Sequence, residues 1–261
     1  MSNSPVLTEH PKTGIVVLTL NRPERRNALS IPVMEAFCDA LDTANADESQ
    51  RIIIITGAGP VFCAGLDLKE SQQRDLAHTS AELVARTLKT ISESRAVTIA
   101  AVHGAAIAGG AGIMSACDLV IASEDTKIGY PEVRRGLVAG LVMTFMRRQM
   151  RERDARELLV LGELVTAHRA LEMGLVNRVV PAGTHVEQAS ILAKAVLKGA
   201  PGAIAHSKAM LREMWPRPVD ADLAYALEHH KLARASQEAV EGIAAFNQKR
   251  LPNWDPESER A

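Results

Sequence analysis

Hydrophobic positions along the chain alternate between two periods. Gly14-Ile15-Val16-Val17-Leu18-Thr19-Leu20 is a β-branched run ending at Asn21-Arg22-Pro23, which predicts a strand stopped by a turn. A helix is expected next. Ser30 stands at its N-cap, Pro32 suits its first turn, and Met34, Phe37, Leu41 and Ala44 recur at helical spacing. Arg51-Ile52-Ile53-Ile54-Ile55-Thr56 is apolar on both faces, as a central strand covered from both sides requires. Gly57-Ala58-Gly59-Pro60 ends it.

Further on, Leu83, Val84, Leu88 and Ile91 predict a helix from about Ser80, and Val97 to Val102 a strand. A glycine-rich turn follows, then a short helix at Gly109 to Cys117, a strand at Asp118 to Ala122 and helices across Leu137 to Leu161. A helix from Thr166 to Gly174 leads into a strand over Leu175 to Val180. From about His185 the strand signals cease. Four helical stretches remain, with breaks near Gly199-Ala200-Pro201, Trp215-Pro216-Arg217-Pro218 and Ala235-Ser236. The alternation of strand and helix predicts an α/β core over residues 1–198, followed by a helical region over residues 199–261.

Composition narrows the field. The 261 residues are 47% hydrophobic and 23% charged, which is ordinary globular usage, but only 3% aromatic, which leaves few rings for stacking single-stranded nucleic acid. Thirty basic and thirty-one acidic residues give a net charge of −1, so any anionic ligand must be met by local cations. Neither a nucleic acid nor a membrane partner is expected. Three scattered cysteines, Cys38, Cys63 and Cys117, predict reduced thiols, and the start of the chain lacks an apolar leader run, so a cytoplasmic setting is expected.

Three segments carry chemistry. In Phe62-Cys63-Ala64-Gly65-Leu66-Asp67-Leu68-Lys69-Glu70, small residues admit close approach to a ligand, and Asp67 can order the turn. His103-Gly104-Ala105-Ala106-Ile107-Ala108-Gly109-Gly110-Ala111-Gly112 follows a strand and opens a helix, whose unpaired N–H groups favour developing negative charge. Its glycine spacing is not that of the dinucleotide fingerprint. Ile128-Gly129-Tyr130-Pro131-Glu132-Val133-Arg134-Arg135-Gly136-Leu137 sets a carboxylate in a tight turn among apolar neighbours, where a raised proton affinity makes it a usable base. Each segment alone also reads as a plain turn or loop.

In their order and spacing the three resemble the enoyl-CoA hydratase/isomerase (crotonase) family. The resemblance extends through Asn21-Arg22-Pro23-Glu24-Arg25-Arg26-Asn27-Ala28-Leu29, Cys117-Asp118, Gly174-Leu175-Val176-Asn177-Arg178-Val179-Val180 and Phe246-Asn247-Gln248-Lys249-Arg250. It implies a crotonase-like α/β spiral of ββα units with a C-terminal α-helical trimerisation region, assembling as a homotrimer or hexamer. It also implies an oxyanion hole built from the N–H groups of Leu66 and Gly109. An acyl-CoA thioester is then the substrate, with no cofactor beyond the CoA it carries. By the same resemblance Arg25, Arg26 and Ala28 bind CoA, Lys69 lies near the adenine and Lys249 reaches phosphate from an adjacent subunit, with Ala64, Asp67, Leu68 and Gly110 among the CoA-binding residues.

The catalytic pair is incomplete. Two-glutamate hydratases of this family carry one glutamate where this chain has Gly112, whereas Glu132 matches the second. Hydration needs a water activated at C3 and a proton delivered at C2; a Δ3-to-Δ2 double-bond shift can be run by a single base. Both reactions stay open, as does similarity to methylglutaconyl-CoA-type hydratases. A serine peptidase using Ser115 with His103 is disfavoured because Ser115 lies within a helix, and a non-catalytic CoA-ester binder is disfavoured by Glu132. His229-His230 is expected on a solvated helix face, Arg147 to Asp154 at a water-exposed helix junction, and Met143, Phe145 and Met146 in the core or pocket wall.

Overall fold

The computed structural model describes residues 4–67, 70, 74–213 and 219–253. In chain order the strands and helices are β1 (Val6–Lys12), β2 (Ile15–Leu20), α1 (Ile31–Ala46), β3 (Ile52–Gly57), α2 (Arg74–Ser92), β4 (Val97–Val102), β5 (Ala105–Ile107) and α3 (Gly109–Ala116). There follow β6 (Leu119–Ser123), β7 (Lys127–Gly129), α4 (Gly140–Met146), α5 (Glu152–Leu161), β8 (Val165–Thr166), α6 (Ala167–Met173) and β9 (Arg178–Val180). The chain closes with α7 (His185–Val196), α8 (Pro201–Glu213), α9 (Val219–Arg234) and α10 (Gln237–Gln248).

Six strands form one sheet in the order β1-β2-β3-β4-β6-β9, parallel except for the β1–β2 hairpin. A smaller sheet joins β5, β7 and β8, and Cys63 pairs with Ala106 beside it. Successive turns of chain therefore lay one strand in the large sheet, add a short extended piece beside it, and close with a helix: β3–Cys63–α2, β4–β5–α3 and β6–β7–α4. This is the expected ββα spiral.

The isoleucine run is explained by burial on both faces. Ile53 and Ile55 join the cluster beneath α1 and α2, while Ile52 and Ile54 join Ala189 and Ala193 of α7 on the opposite face. Each such side chain contributes about 1.5–3 kcal/mol when fully buried.

Three elements differ from expectation. β1 was not foreseen because it is an edge strand, exposed beyond Leu7, so its sequence carries no apolar run. α2 begins at Arg74, earlier than Ser80. The last strand starts at Arg178, since Leu175 and Val176 are buried as loop residues and Asn177 exchanges hydrogen bonds with the Val120 backbone. Ser30 is the N-cap of α1, yet its hydroxyl caps nothing; the Glu70 carboxylate accepts the Ile31 N–H at 2.9 Å.

The four expected helices after residue 185 are present. α9 packs on α4 and α2 of its own chain, α10 packs on the turn at Pro131–Arg135, and Lys208 of α8 donates to the Ser94 and Ala96 carbonyls. Among the described residues no helix is long and apolar enough to cross a membrane.

Candidate active site

The Leu66 and Gly109 N–H groups are left without partners by the way their segments meet. Leu29 donates to the Gly65 carbonyl at 2.8 Å and accepts from the Asp67 N–H at 3.0 Å. In such a parallel bridge the intervening Leu66 N–H faces away from Leu29. Gly109 opens α3, where the first N–H groups lack intrahelical acceptors. A Cβ built on Gly109 would stand 3.8 Å from Leu66 N, so the two donors are close neighbours.

Backbone conformation sets this approach. Gly65 has φ +88°, and a Cβ there would lie 2.8 Å from the Ile107 carbonyl oxygen and 3.3 Å from Gly109 N. Ala108, before the helix, has φ 51° and ψ −117°, a conformation costing about 1–3 kcal/mol for a residue with a Cβ. Its N–H is tied to the Gly129 carbonyl at 2.9 Å.

Glu132 lies on a 3-10 turn, Pro131–Arg135, that also borders the cavity. Its Oε2 is buried with no partner. Burial pushes its carboxyl up to about 7, against the pull of its own backbone N–H and of the Arg135 charge. A carboxylate so placed can take and return a proton near neutral pH.

The missing carboxylate has a structural counterpart. Gly112 faces Val142, and a Cβ at Gly112 would fall inside the contact distance of the Val142 side chain, 3.0 Å from its Cβ, and 3.4 Å from Leu88 Cδ2. Val142 fills the volume that a second glutamate would need.

These groups surround a mostly apolar cavity of about 290 Å³. Arg25, Ala28, Ala64, Leu66, Asp67, Gly109 and Glu132 all border it. Arg26, Gly110 and Lys249 do not. Arg26 is exposed in a left-handed turn, and its carbonyl accepts the Ala64 N–H. Gly110 packs against Cys63, and Lys249 is the exposed left-handed cap of α10. Leu68 and Lys69 lie outside the described residues.

Two supports were not singled out from sequence. Arg22 pairs with Asp67 at 2.7 Å and so braces the Leu66 loop. Asn27, fully buried, donates to the Ala58, Val61 and Phe62 carbonyls and accepts from the Arg22 N–H, locking the Arg25 turn to the loop after β3. The available signal was an Asn, a residue that tolerates the left-handed conformation, directly after Arg25-Arg26 and before an apolar pair.

The alternative assignments fare as follows. Ser115 bonds the buried Tyr130 hydroxyl at 2.7 Å, while His103 bonds the Gly59 carbonyl and stacks on His185, so each is engaged structurally. His229 is exposed as expected, but His230 is not. It is buried in the cavity wall, with its Nδ1 3.4 Å from the Val138 carbonyl. The reason is periodic: Leu223, Ala226 and His230 form the inward stripe of α9. Among the described residues no His, Cys, Asp and Glu cluster could hold a metal ion. Phe145 and Met146 are core residues; of the stretch expected in water, Arg147 is exposed and salt-bridged to Asp222, but Arg148 is largely buried on the same carboxylate and Asp154 is buried between Arg151 and Arg169.

The ββα spiral that carries this cavity is a crotonase fold. The family described as enoyl-CoA hydratase/isomerase matches residues 10–257, and the chain belongs to it. Enoyl-CoA hydratase EchA19 of Mycobacterium tuberculosis is 34% identical, the alignment spanning 92% of each chain. The 2,3-dehydroadipyl-CoA hydratase of Escherichia coli is 33% identical over 92% of this chain and 94% of its own. The crystal structure of carnitinyl-CoA hydratase from Mycobacterium avium superposes with a TM-score of 0.85 at 34% identity, covering 97% of this chain and 99% of that one.

Proposed function

We propose that the protein hydrates 2-enoyl-CoA esters, with the thioester oxygen held by the Leu66 and Gly109 N–H groups and Glu132 as the one acid/base residue. The observation that carries this reading is the convergence of two unpartnered N–H donors and one unpartnered carboxylate oxygen on a single cavity. Glu132 takes a proton from water as the resulting hydroxide adds to C3, and the enolate oxygen is held in the hole. The Glu132 carboxyl then returns that proton to C2, so one water is added and the residue is regenerated. Donors aimed at the enolate act more strongly on the transition state than on the ester, by about 3 kcal/mol each. The cycle needs no separate cofactor.

Hydration leads because the relatives above are named hydratases. The closure of Gly112 by Val142 favours a second reading, Δ3-to-Δ2 isomerisation, in which Glu132 moves a proton from C2 to C4 of the dienolate. Turnover of matched 2-enoyl- and 3-enoyl-CoA esters decides between them. Hydration of the 2-enoyl ester supports the first; conversion of the 3-enoyl ester without net water uptake supports the second. Inertness towards both, with retained ester binding, would favour a non-catalytic binder.

In this reading Arg25, Arg26 and Ala28, with Lys69, serve the CoA moiety, and Lys249 serves its phosphates. Residues 199–261 act as the oligomerisation region of a trimer or hexamer. The exposed Leu211, Tyr225 and Leu232, each more than 60% accessible, support that role. Sedimentation of the intact protein tests it.

A further inference from the structure

Arg135 borders the cavity and, among the described residues, forms no ion pair; Glu132 on its own turn is the anion whose charge it feels. Arg135 closes the 3-10 turn that carries Glu132. Side chains three residues apart on such a turn leave it on the same side, about 6 Å apart along its axis.

The guanidinium is braced from behind: its central carbon lies 4.5 Å from the centre of the Phe246 ring, and its backbone packs against Gly242, leaving no room for a Cβ there. Its Nε is buried and unpartnered, and among the described residues no carboxylate comes within ion-pair distance. Arg134, beside it on the outer side of the turn, pairs with Glu163 at 3.3 Å. A guanidinium nitrogen shut off from water and left without an acceptor is costly unless a ligand meets the group. Burial also lowers the proton affinity of Arg135.

From this we infer that Arg135 receives a carboxylate at the far end of the acyl chain, so that the substrates are short dicarboxylic acyl-CoA esters. The inference rests on the reading of the cavity given above. A cation here could meet either an acyl carboxylate or a CoA phosphate. Its place on Glu132's own turn favours the first, because Glu132 works on the acyl carbons next to the thioester. The place of Arg135 on the same short turn as Glu132 makes a short dicarboxylic acyl chain, such as adipyl, the one to test.

Calorimetric titration of the full-length protein with adipyl-CoA, hexanoyl-CoA and CoA tests this; both esters have six acyl carbons and neither can react. Adipyl-CoA is expected to bind at least about tenfold tighter than hexanoyl-CoA, the scale of one charge-assisted hydrogen bond. Arg135→Gln should bring that ratio close to one, and Arg135→Lys should keep part of it. Equal affinities for the two esters in the wild type would overturn the inference. An Arg135→Gln variant that weakens all three ligands by one factor would overturn it too, by assigning the guanidinium to the CoA phosphates. If Arg135→Gln fails to fold, the wild-type ratio and the Arg135→Lys variant decide. Because the readout is binding, a failure of the catalytic reading shows in Glu132→Gln turnover and leaves this ratio intact.

Discussion

Val142 occupies the space in front of Gly112 that a side chain at that position would need. The relationship makes the loss of the second carboxylate a packing decision of α4 against α3, beyond a change at one codon. Gly112→Glu alone should destabilise the protein by about 1–3 kcal/mol, as overpacking does, without improving hydration. Combined with Val142→Gly it should regain most of that stability and raise hydratase turnover. Thermal melts and initial rates of the two variants check this; a stable Gly112→Glu single variant would show that the pocket is not closed.

Ala108 is strained in order to aim the Gly109 N–H. Ala108→Gly removes the strain and adds only the extra chain entropy of glycine, so it should be more stable by about 1 kcal/mol. Denaturant unfolding measures it. A clear loss of stability would mean that the conformation at Ala108 carries no strain.

Stability should also respond to acid through the stacked His103 and His185 rings, 4.4 Å apart. Burial, reinforced by the neighbouring His103 charge and only partly offset by Asp125, holds His185 down at about 4. The unfolded chain takes up this proton near 6.5, before the folded one does. Stability is therefore full above about 6.5 and lost as pH falls towards 4, by at most about 1.4 kcal/mol per pH unit and less after solvent screening. His185→Gln should flatten this slope in melts from pH 7 to 4.5. An unchanged slope would clear the His pair of the effect.

Glu132 has the opposite linkage. Its folded affinity for a proton exceeds that of an ordinary glutamate, so wild-type stability falls as pH rises from about 4.5 through 7. Glu132→Gln removes the buried charge and should be more stable than wild type at pH 8 by about 3 kcal/mol, with the advantage vanishing below pH 4.5. Melting curves of both proteins across that range would reveal it, and equal stability at pH 8 would place Glu132 in water.

Much of the α/β core was legible because its signals are local: a β-branched run between turn residues, or apolar positions at helical spacing. β1, β5, β7 and β8 were not. β1 is an exposed edge strand with no apolar run, and β5, β7 and β8 are two- to three-residue strands held by partners distant in sequence, so no window of chain reveals them. At the site, Leu66, Gly109 and Glu132 were readable from segment order and resemblance. Val142, Arg135 and His230 were not, because each matters through what faces it across the cavity. For His230 the stripe Leu223–Ala226–His230 could have been counted; for Val142 nothing in the sequence marks a partner thirty residues away.

The acid/base role of Glu132 is the central claim. Kinetics of wild type and Glu132→Gln with the ester that turns over, across pH 5.5 to 9, test it most directly. The wild-type kcat/KM should rise with pH through about 7, where the buried carboxyl ionises. Glu132→Gln should lose about 10²–10⁴ in kcat with little change in KM, and should lose that pH limb. A variant that keeps most of the wild-type rate, or the same limb near 7, would contradict the account.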